Sequence, residues 1–259
     1  MTPRIAAGLT ALTLTLAPFG LSAPAAAQES FDFSSMSAAE SAAFGEAVRS
    51  YLLENPEVLM EAIGILESRQ ELEAAQRDEE LVATHAASLF GDDHSWVGGA
   101  PEGDITVVEF IDYRCGFCRR AHPEVQELIA TDGRIRLIVK EFPILGEQSV
   151  LASRFAIAVK KLGGDEAYKA AHDALIEMPG DVNELALELL AVDLGLDPAA
   201  VLETMETQEV TDIILANRTL AQQLEIRGTP TFVVGDTMLR GYVPLDGMRE
   251  VVAAERAEG

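Results

Sequence analysis

The stretch T-V-V-E-F-I-D-Y-R-C-G-F-C-R-R-A-H-P, from Thr106 to Pro123, decides how the rest of this 259-residue chain is read. It holds both cysteines of the chain, Cys115 and Cys118. Before them, Thr106–Ile111 is a β-branched and aromatic run, the pattern of a buried strand. After them, Ala121, Val125, Leu128 and Ile129 recur at helical spacing. The cysteine pair is therefore expected where a strand ends and a helix begins.

That position gives the spacing its chemistry. The first turn of a helix carries unpaired N–H groups and the positive end of the macrodipole, which favour a thiolate at Cys115. Thiols so placed fall from a pKa of about 8.5 to roughly 3.5–7.5. Arg114, Arg119 and Arg120 are expected to push the same way, weakened by solvent screening. One turn later, Cys118 can attack a mixed disulfide and release the partner, the second step of thiol–disulfide exchange. Three other readings compete. A structural disulfide across so short a loop removes little entropy from the unfolded chain. A zinc site needs about four ligands, and only His122 adds to the pair, as C-x2-C-x3-H. Two inert thiols would need no strand-to-helix junction. Redox chemistry is the reading preferred.

The stretch resembles the active-site segment of the thioredoxin superfamily, and its detail is similar to the DsbA-like proteins. Glu109 stands where that superfamily carries a buried acid beneath the disulfide. Pro123 matches the proline inside the active-site helix. Gly228-Thr229-Pro230-Thr231-Phe232 is similar to the loop whose cis-proline faces the cysteines. The resemblance, which runs from about Gly98 onward, implies an α/β thioredoxin fold with an inserted helical subdomain. It implies that Cys115 attacks, Cys118 resolves, Glu109 relays a proton, and Thr229 and Pro230 position the substrate. Lys140, on the next expected strand, matches a lysine that approaches the buried acid, so Glu109 and Lys140 form a candidate proton-handling pair. No metal ligand set and no organic cofactor is expected; the redox group is the Cys115–Cys118 disulfide itself.

Two departures from the pattern bear on direction. Gly-Phe lies between the cysteines, where DsbA has Pro-His and thioredoxin Gly-Pro. Phe117 can give Cys115 neither a hydrogen bond nor a charge, and oxidising power follows stabilisation of the reduced thiolate. Thr before the proline is similar to the disulfide isomerases. An isomerase or reductase is therefore expected, ahead of a monomeric DsbA-like oxidase. From other classes, a Cu(I)-handling copper-tolerance protein and a holdase-like binding module remain as alternatives.

Residues 1–27 read as a signal peptide, with Arg4, an apolar run from Ile5 to Leu16 and a small-residue cleavage site at Ala25-Ala26-Ala27. Cleavage near Ala27 would deliver the chain to the periplasm, an oxidising compartment suited to a lone C-x-x-C. The formal net charge of −24 argues against nucleic-acid binding, since phosphates would be repelled. Expected partners are cysteine-containing exported proteins and a membrane or soluble redox partner.

Residues 28–90 read as an N-terminal all-helical extension. Ser37-Ala38-Ala39-Glu40 is a capping box, followed by Phe44, Val48, Tyr51 and Leu52 on one side. Asn55-Pro56 starts a second helix that meets no strong breaker before Gly91, about 50 Å at 1.5 Å per residue. Its apolar stripe (Val58, Leu59, Ala62, Ile63, Leu66) thins after Glu71. E-N-P-E-V-L resembles the extension of ScsC-like proteins, and a homo-oligomer through these helices is expected. Residues 91–259 are expected to form the catalytic domain, with its helical insertion at about 149–224. Breaks at Gly163-Gly164, Met178-Pro179-Gly180 and Gly195 divide the insertion, and a Phe232–Arg240 hairpin and a closing helix follow.

Overall fold

The computed structural model describes residues 35–258. The expected signal peptide lies outside the described residues. The chain divides into two compact units, the first ending at Ala62 and the second running from Ile63.

In the first unit, α1 (Ala38–Glu54) opens on the capping box. Ser37 N–H donates to Glu40 Oε2 at 2.8 Å, and Glu40 N–H returns to Ser37 Oγ at 3.4 Å, satisfying two of the orphan donors of the first turn. None of its residues is buried. Asn55 ends it, and α2 (Glu57–Phe90) follows.

In the second unit, a five-stranded sheet has the order β1-β3-β2-β4-β5. The strands are β1 (Trp96–Gly99), β2 (Ile105–Ile111), β3 (Ile135–Glu141), β4 (Thr231–Val234) and β5 (Thr237–Arg240). Strands β2 and β3 are parallel, joined through α3 (Gly116–Asp132), and every other pairing is antiparallel. Gly133 closes α3 in the left-handed conformation (φ 72°), where a Cβ would be strained. The helical block comprises α4 (Glu147–Glu177), α5 (Glu184–Asp193), α6 (Pro198–Met205) and α7 (Gln208–Gln223), and α8 (Leu245–Glu258) closes the chain. Gly164 breaks the helical path of α4 with a φ of 76°, as Gly163-Gly164 predicts.

The sheet buries both faces, and strand alternation sorts its residues between two cores. Val107, Ile111, Leu137 and Val139 pack against α3, α4 and α8. Val108, Phe110, Ile138 and Phe142 pack against α7 and against Val82 and Leu89 of α2. The later half of α2, where the apolar stripe thins, is thus a cover for the sheet. Arg136 donates to its Phe90 carbonyl, and Arg240 bonds Asp78 at 2.6 Å. The boundary expected after residue 90 therefore falls inside a packed unit. Sequence periodicity hid this because one long side of α2 is polar and only a few residues anchor the other.

Candidate active site

Strand β2 delivers its chain to the site through Asp112, which is fully buried. Its carboxylate accepts from the N–H groups of Arg114 (2.8 Å), Ile144 (2.8 Å) and Leu145 (3.0 Å), and its carbonyl accepts from Cys115 N–H. One side chain therefore ties the loop before α3 to the loop after β3. The motif reading passed over Asp112, although an Asp just before a helix start is a common loop-holding residue.

Cys115 occupies the N-cap of α3 with extended backbone (φ −77°, ψ 119°). The Cys118 thiol donates to the Cys115 sulfur, and the backbone N–H groups of Cys118 and Phe117 add to it. These donors outweigh burial and hold Cys115 down to about 5. The Thr229 side chain lowers it further, and the Thr229 carbonyl lies 3.1 Å from Cys115 Sγ, where it accepts from the thiol when the proton is present. Cys118 is fully buried one turn on, and burial, the Cys115 sulfur and Glu109 push its pKa strongly upward. The pair is thus split into a ready nucleophile and a held thiol. The Thr229–Pro230 peptide bond is cis, and Thr229 stands directly against the nucleophile.

The three arginines act differently from the expectation. Arg114 donates to the Gly180 carbonyl and Arg119 to those of Tyr113 and Met178. Arg120 lies 4.4 Å from the centroid of the Tyr242 ring. They brace the loop between α4 and α5 and the aromatic rim, and the thiolate owes its stability to backbone and thiol donors. Phe117, 59 % exposed, stacks near Tyr242, and Leu145 and Ile144 are also exposed beside the loop that Asp112 holds.

Beneath the thiols, Glu109 is buried and its Oε1 has no hydrogen-bond partner among the described residues. Burial and the charge of Glu141 push it up to about 8. The expected partnership of Glu109 with Lys140 is not formed. Glu109 pairs in register with Val139, whereas Lys140 pairs with Phe110 and so faces the opposite core. There Lys140, fully buried, binds Asp92 and donates to the Ser88 carbonyl at 2.8 Å and to Ser95 Oγ. The residue on Glu109's side is its neighbour Glu141. Tyr113 (2.7 Å) and Tyr168 (2.6 Å) donate to Glu141 Oε1, and Ser153 (2.7 Å) to Oε2. Burial outweighs these donors and pushes Glu141 up to about 7. Period-two alternation along β3 carries that information, since residue 141, not 140, shares a face with 139.

Two buried histidines belong here as well. His122, the residue that adds to the cysteine pair in the C-x2-C-x3-H spacing, is buried on α3, with Nε2 at 3.2 Å from Asp173 Oδ1. His172 is buried on α4, with Nδ1 3.1 Å from the Tyr113 hydroxyl and its ring centroid 5.2 Å from that of His122. Burial, then His122 and Lys169, hold His172 down to about 3. Lys169 bonds Asp173 at 2.5 Å, so an ammonium already serves this carboxylate. With Tyr113 on the other side, the group has the chemistry of a hydrogen-bonded chain, and the added positive charge disfavours a cation.

Residues 106–253, more than half of the chain, match the DSBA-like thioredoxin domain. This chain belongs to that family. Residues 40–73 match the copper resistance protein ScsC N-terminal domain. A thioredoxin-like oxidoreductase from Silicibacter pomeroyi DSS-3 is 44 % identical, with a TM-score of 0.62 over 66 % of this chain and 97 % of that one. BcfH from Salmonella enterica Typhimurium is 31 % identical, with a TM-score of 0.71 over 84 % of this chain and 96 % of that one. Among curated proteins, the Na(+)/H(+) antiporter NhaA 1 of Salinispora arenicola is 28 % identical over 162 residues, which are 62 % of this chain. The DsbA-like chain spans about a quarter of that protein's length. Among the described residues, no helix is long and apolar enough to cross a membrane.

Proposed function

We propose that the protein catalyses thiol–disulfide exchange on cysteine-containing exported proteins. The observation that carries this reading is the asymmetry of the pair: Cys115 is held down to about 5 at a helix start, while Cys118 is buried and held protonated above Glu109. The Cys115 thiolate attacks a client disulfide and forms a mixed disulfide. Cys118 then loses its proton, attacks Cys115 Sγ and expels the client thiolate. Thr229 beside the nucleophile offers backbone groups to an extended client segment. Exposed Phe117, Ile144 and Leu145 offer apolar contact of the kind an unfolded client presents. No further cofactor enters these steps, and the N-terminal signal pattern and the lone C-x-x-C support work in the periplasm.

The direction proposed is isomerase or reductase, in exchange with a membrane or soluble redox partner. Phe117 adds no donor to Cys115, and a second copy of the chain would let two sites share one client. Support for self-association comes from the first unit, where Phe44, Val48, Tyr51, Leu53, Leu59 and Met60 are exposed. Cu(I) handling by the same two thiols is the second reading, favoured by the ScsC N-terminal match.

Cys118→Ser removes the resolving thiol and should accumulate a client-linked mixed disulfide through Cys115, seen as a reducible adduct on gels. Scrambled and reduced substrates assayed side by side give the direction. No adduct in Cys118→Ser, with wild-type refolding rates unchanged by the enzyme, would remove the exchange reading.

A further inference from the structure

Exchange leaves a proton to be disposed of, and the thiol that must lose it, Cys118, is fully buried. When Cys118 attacks, a bond forms between its sulfur and Cys115 Sγ, and the bond from Cys115 to the client breaks. The client departs as a thiolate that takes a proton from solvent. The hydrogen of Cys118 must travel the other way, from a fully buried thiol to water.

Resting on the exchange reading above, we infer that Glu141, Tyr113, His172 and His122 form the route by which the Cys118 proton, first taken by Glu109, reaches solvent at Asp173.

The contacts run in sequence. Glu109 and Glu141 share one face of the parallel β2–β3 pair, two positions apart in register. The charge of Glu141 acts directly on Glu109. Two buried carboxyls so placed resist double ionisation, which suits them to pass one proton between them. Glu141 Oε1 lies 2.7 Å from the Tyr113 hydroxyl, and that hydroxyl lies 3.1 Å from His172 Nδ1. A single phenol hydrogen therefore links an acid to an imidazole. One ring nitrogen of each histidine and a carboxylate oxygen of Asp173 all lie within 4.8 Å of one another. One bridging water spans such a gap. His122 Nε2 lies 3.2 Å from Asp173 Oδ1, an oxygen that is itself buried and has no hydrogen-bond partner among the described residues, and the Asp173 side chain as a whole is 37 % exposed, so its carboxylate spans from the interior to the surface.

Each group gives on one side what it receives on the other, so the chain ends as it began, with one proton moved from Cys118 to water. His172 and His122 are both held below the ordinary histidine range, burial being the largest cause. They pass a proton and do not store it. The other groups facing the route are Asp112 and Tyr168 near Glu141, and Lys169 and Glu177 near the histidines. Lys169 and Glu177 act on His122 in opposite directions.

Tyr168 gives an internal contrast. It bonds the same oxygen of Glu141 as Tyr113 does and stacks on the His172 ring, but among the described residues no hydrogen bond carries its hydroxyl on to a histidine nitrogen. If the hydroxyls merely tune Glu141, the two tyrosines are equivalent. If protons move, they are not.

The test uses the full chain and a single-turnover release of client thiol from a preformed Cys115 mixed disulfide, from about pH 5 to 9, in H2O and D2O. Tyr113→Phe, His172→Gln and Glu141→Gln should each slow release by about 10-fold or more near neutral pH, less than the 10²–10⁴ typical of a general base that takes the proton directly. Each should also raise the solvent isotope effect, while alkylation of Cys115 in the reduced protein keeps its rate and pH midpoint. Tyr168→Phe should slow release distinctly less than Tyr113→Phe. Wild-type release rates and isotope effects in Tyr113→Phe and His172→Gln would overturn the route, as would equal losses from the two tyrosine variants. If Tyr113→Phe fails to fold, the near-isosteric Glu141→Gln and His172→Gln decide by the same readings. A wild-type chain that forms no mixed disulfide would instead sink the exchange reading itself, so the two failures are distinct.

Discussion

Lys140 and Glu141 are neighbours on one strand, both buried, and they live in opposite kinds of surroundings. Lys140 faces the core under α2 and α7, where Asp92, Ser88 and Ser95 meet its ammonium. Glu141 faces the core under α3 and α4, where three hydroxyls soften its burial but no cation neutralises it. Glu109, on the same side, has even less. One face of the sheet holds a charge that is fully answered; the other holds two acids left close to neutral pH. An answered charge fixes structure, whereas an under-answered one costs stability and is available to move protons.

The comparison breaks first if the α2 face does not depend on its cover. A chain beginning at residue 63 should fold, because Val82, Leu89, Asp78 and the Ser88 carbonyl remain in place. A chain beginning at residue 91 loses two fully buried side chains and an acceptor of the Lys140 ammonium, and should lose cooperative thermal unfolding. Similar melting curves for the two would show that α2 contributes nothing to that face.

Next in size is the kinetic effect on the acid face. Glu109→Gln removes the first acceptor for the Cys118 proton and should slow mixed-disulfide release by about 10²-fold or more, with initial attack by Cys115 nearly intact. Stopped-flow measurement of the two steps separates them. The same variant should be more stable, by roughly 2–5 kcal/mol at high pH, since a group lifted from 4.5 to about 8 is destabilising once the unfolded chain ionises. As pH rises from about 4.5 to 8, the unfolded wild type sheds this proton while the folded state keeps it, so wild-type stability falls across that window. The gain in the variant should therefore close below about pH 4.5, and urea melts at several pH values check it. A gain that is flat with pH would mean that Glu109 is not the group held up.

The smallest of the three sharpens the other face. Lys140→Met leaves Asp92 buried without its cation and should cost about 3 kcal/mol in urea melts. Its release rate should match wild type, because Lys140 faces away from the thiols. A slowed release would join the two faces that the register separates.

How much of this was legible in the sequence follows from which signals are local. The C-x-x-C at a strand-to-helix junction, the capping box of α1 and the β-hairpin are short-range patterns, and each element stands within a residue or two of its expected bounds. Thr229 beside Cys115 came from the family resemblance, and no spacing rule would place it there. Lys140 is one residue from the mark, because strand parity puts Glu141 and not Lys140 on the face of Glu109. His172 lies 57 positions from Cys115 in the chain and meets Tyr113 only through the packing of α4 on the sheet, which no local pattern encodes. The packing of the later half of α2 leaves little trace in the sequence, because only a few anchors, such as Val82 and Leu89, carry its burial.

Trp96, at the start of β1, is the only tryptophan in the chain. Its ring stacks on Tyr168 with centroids 5.6 Å apart, and Tyr168 holds Glu141. The protein thus carries a built-in fluorophore one aromatic ring away from the acid it would be asked to report on. Its emission gives an optical readout of that pocket without any label, in a molecule whose two thiols must be left untouched for the chemistry to run.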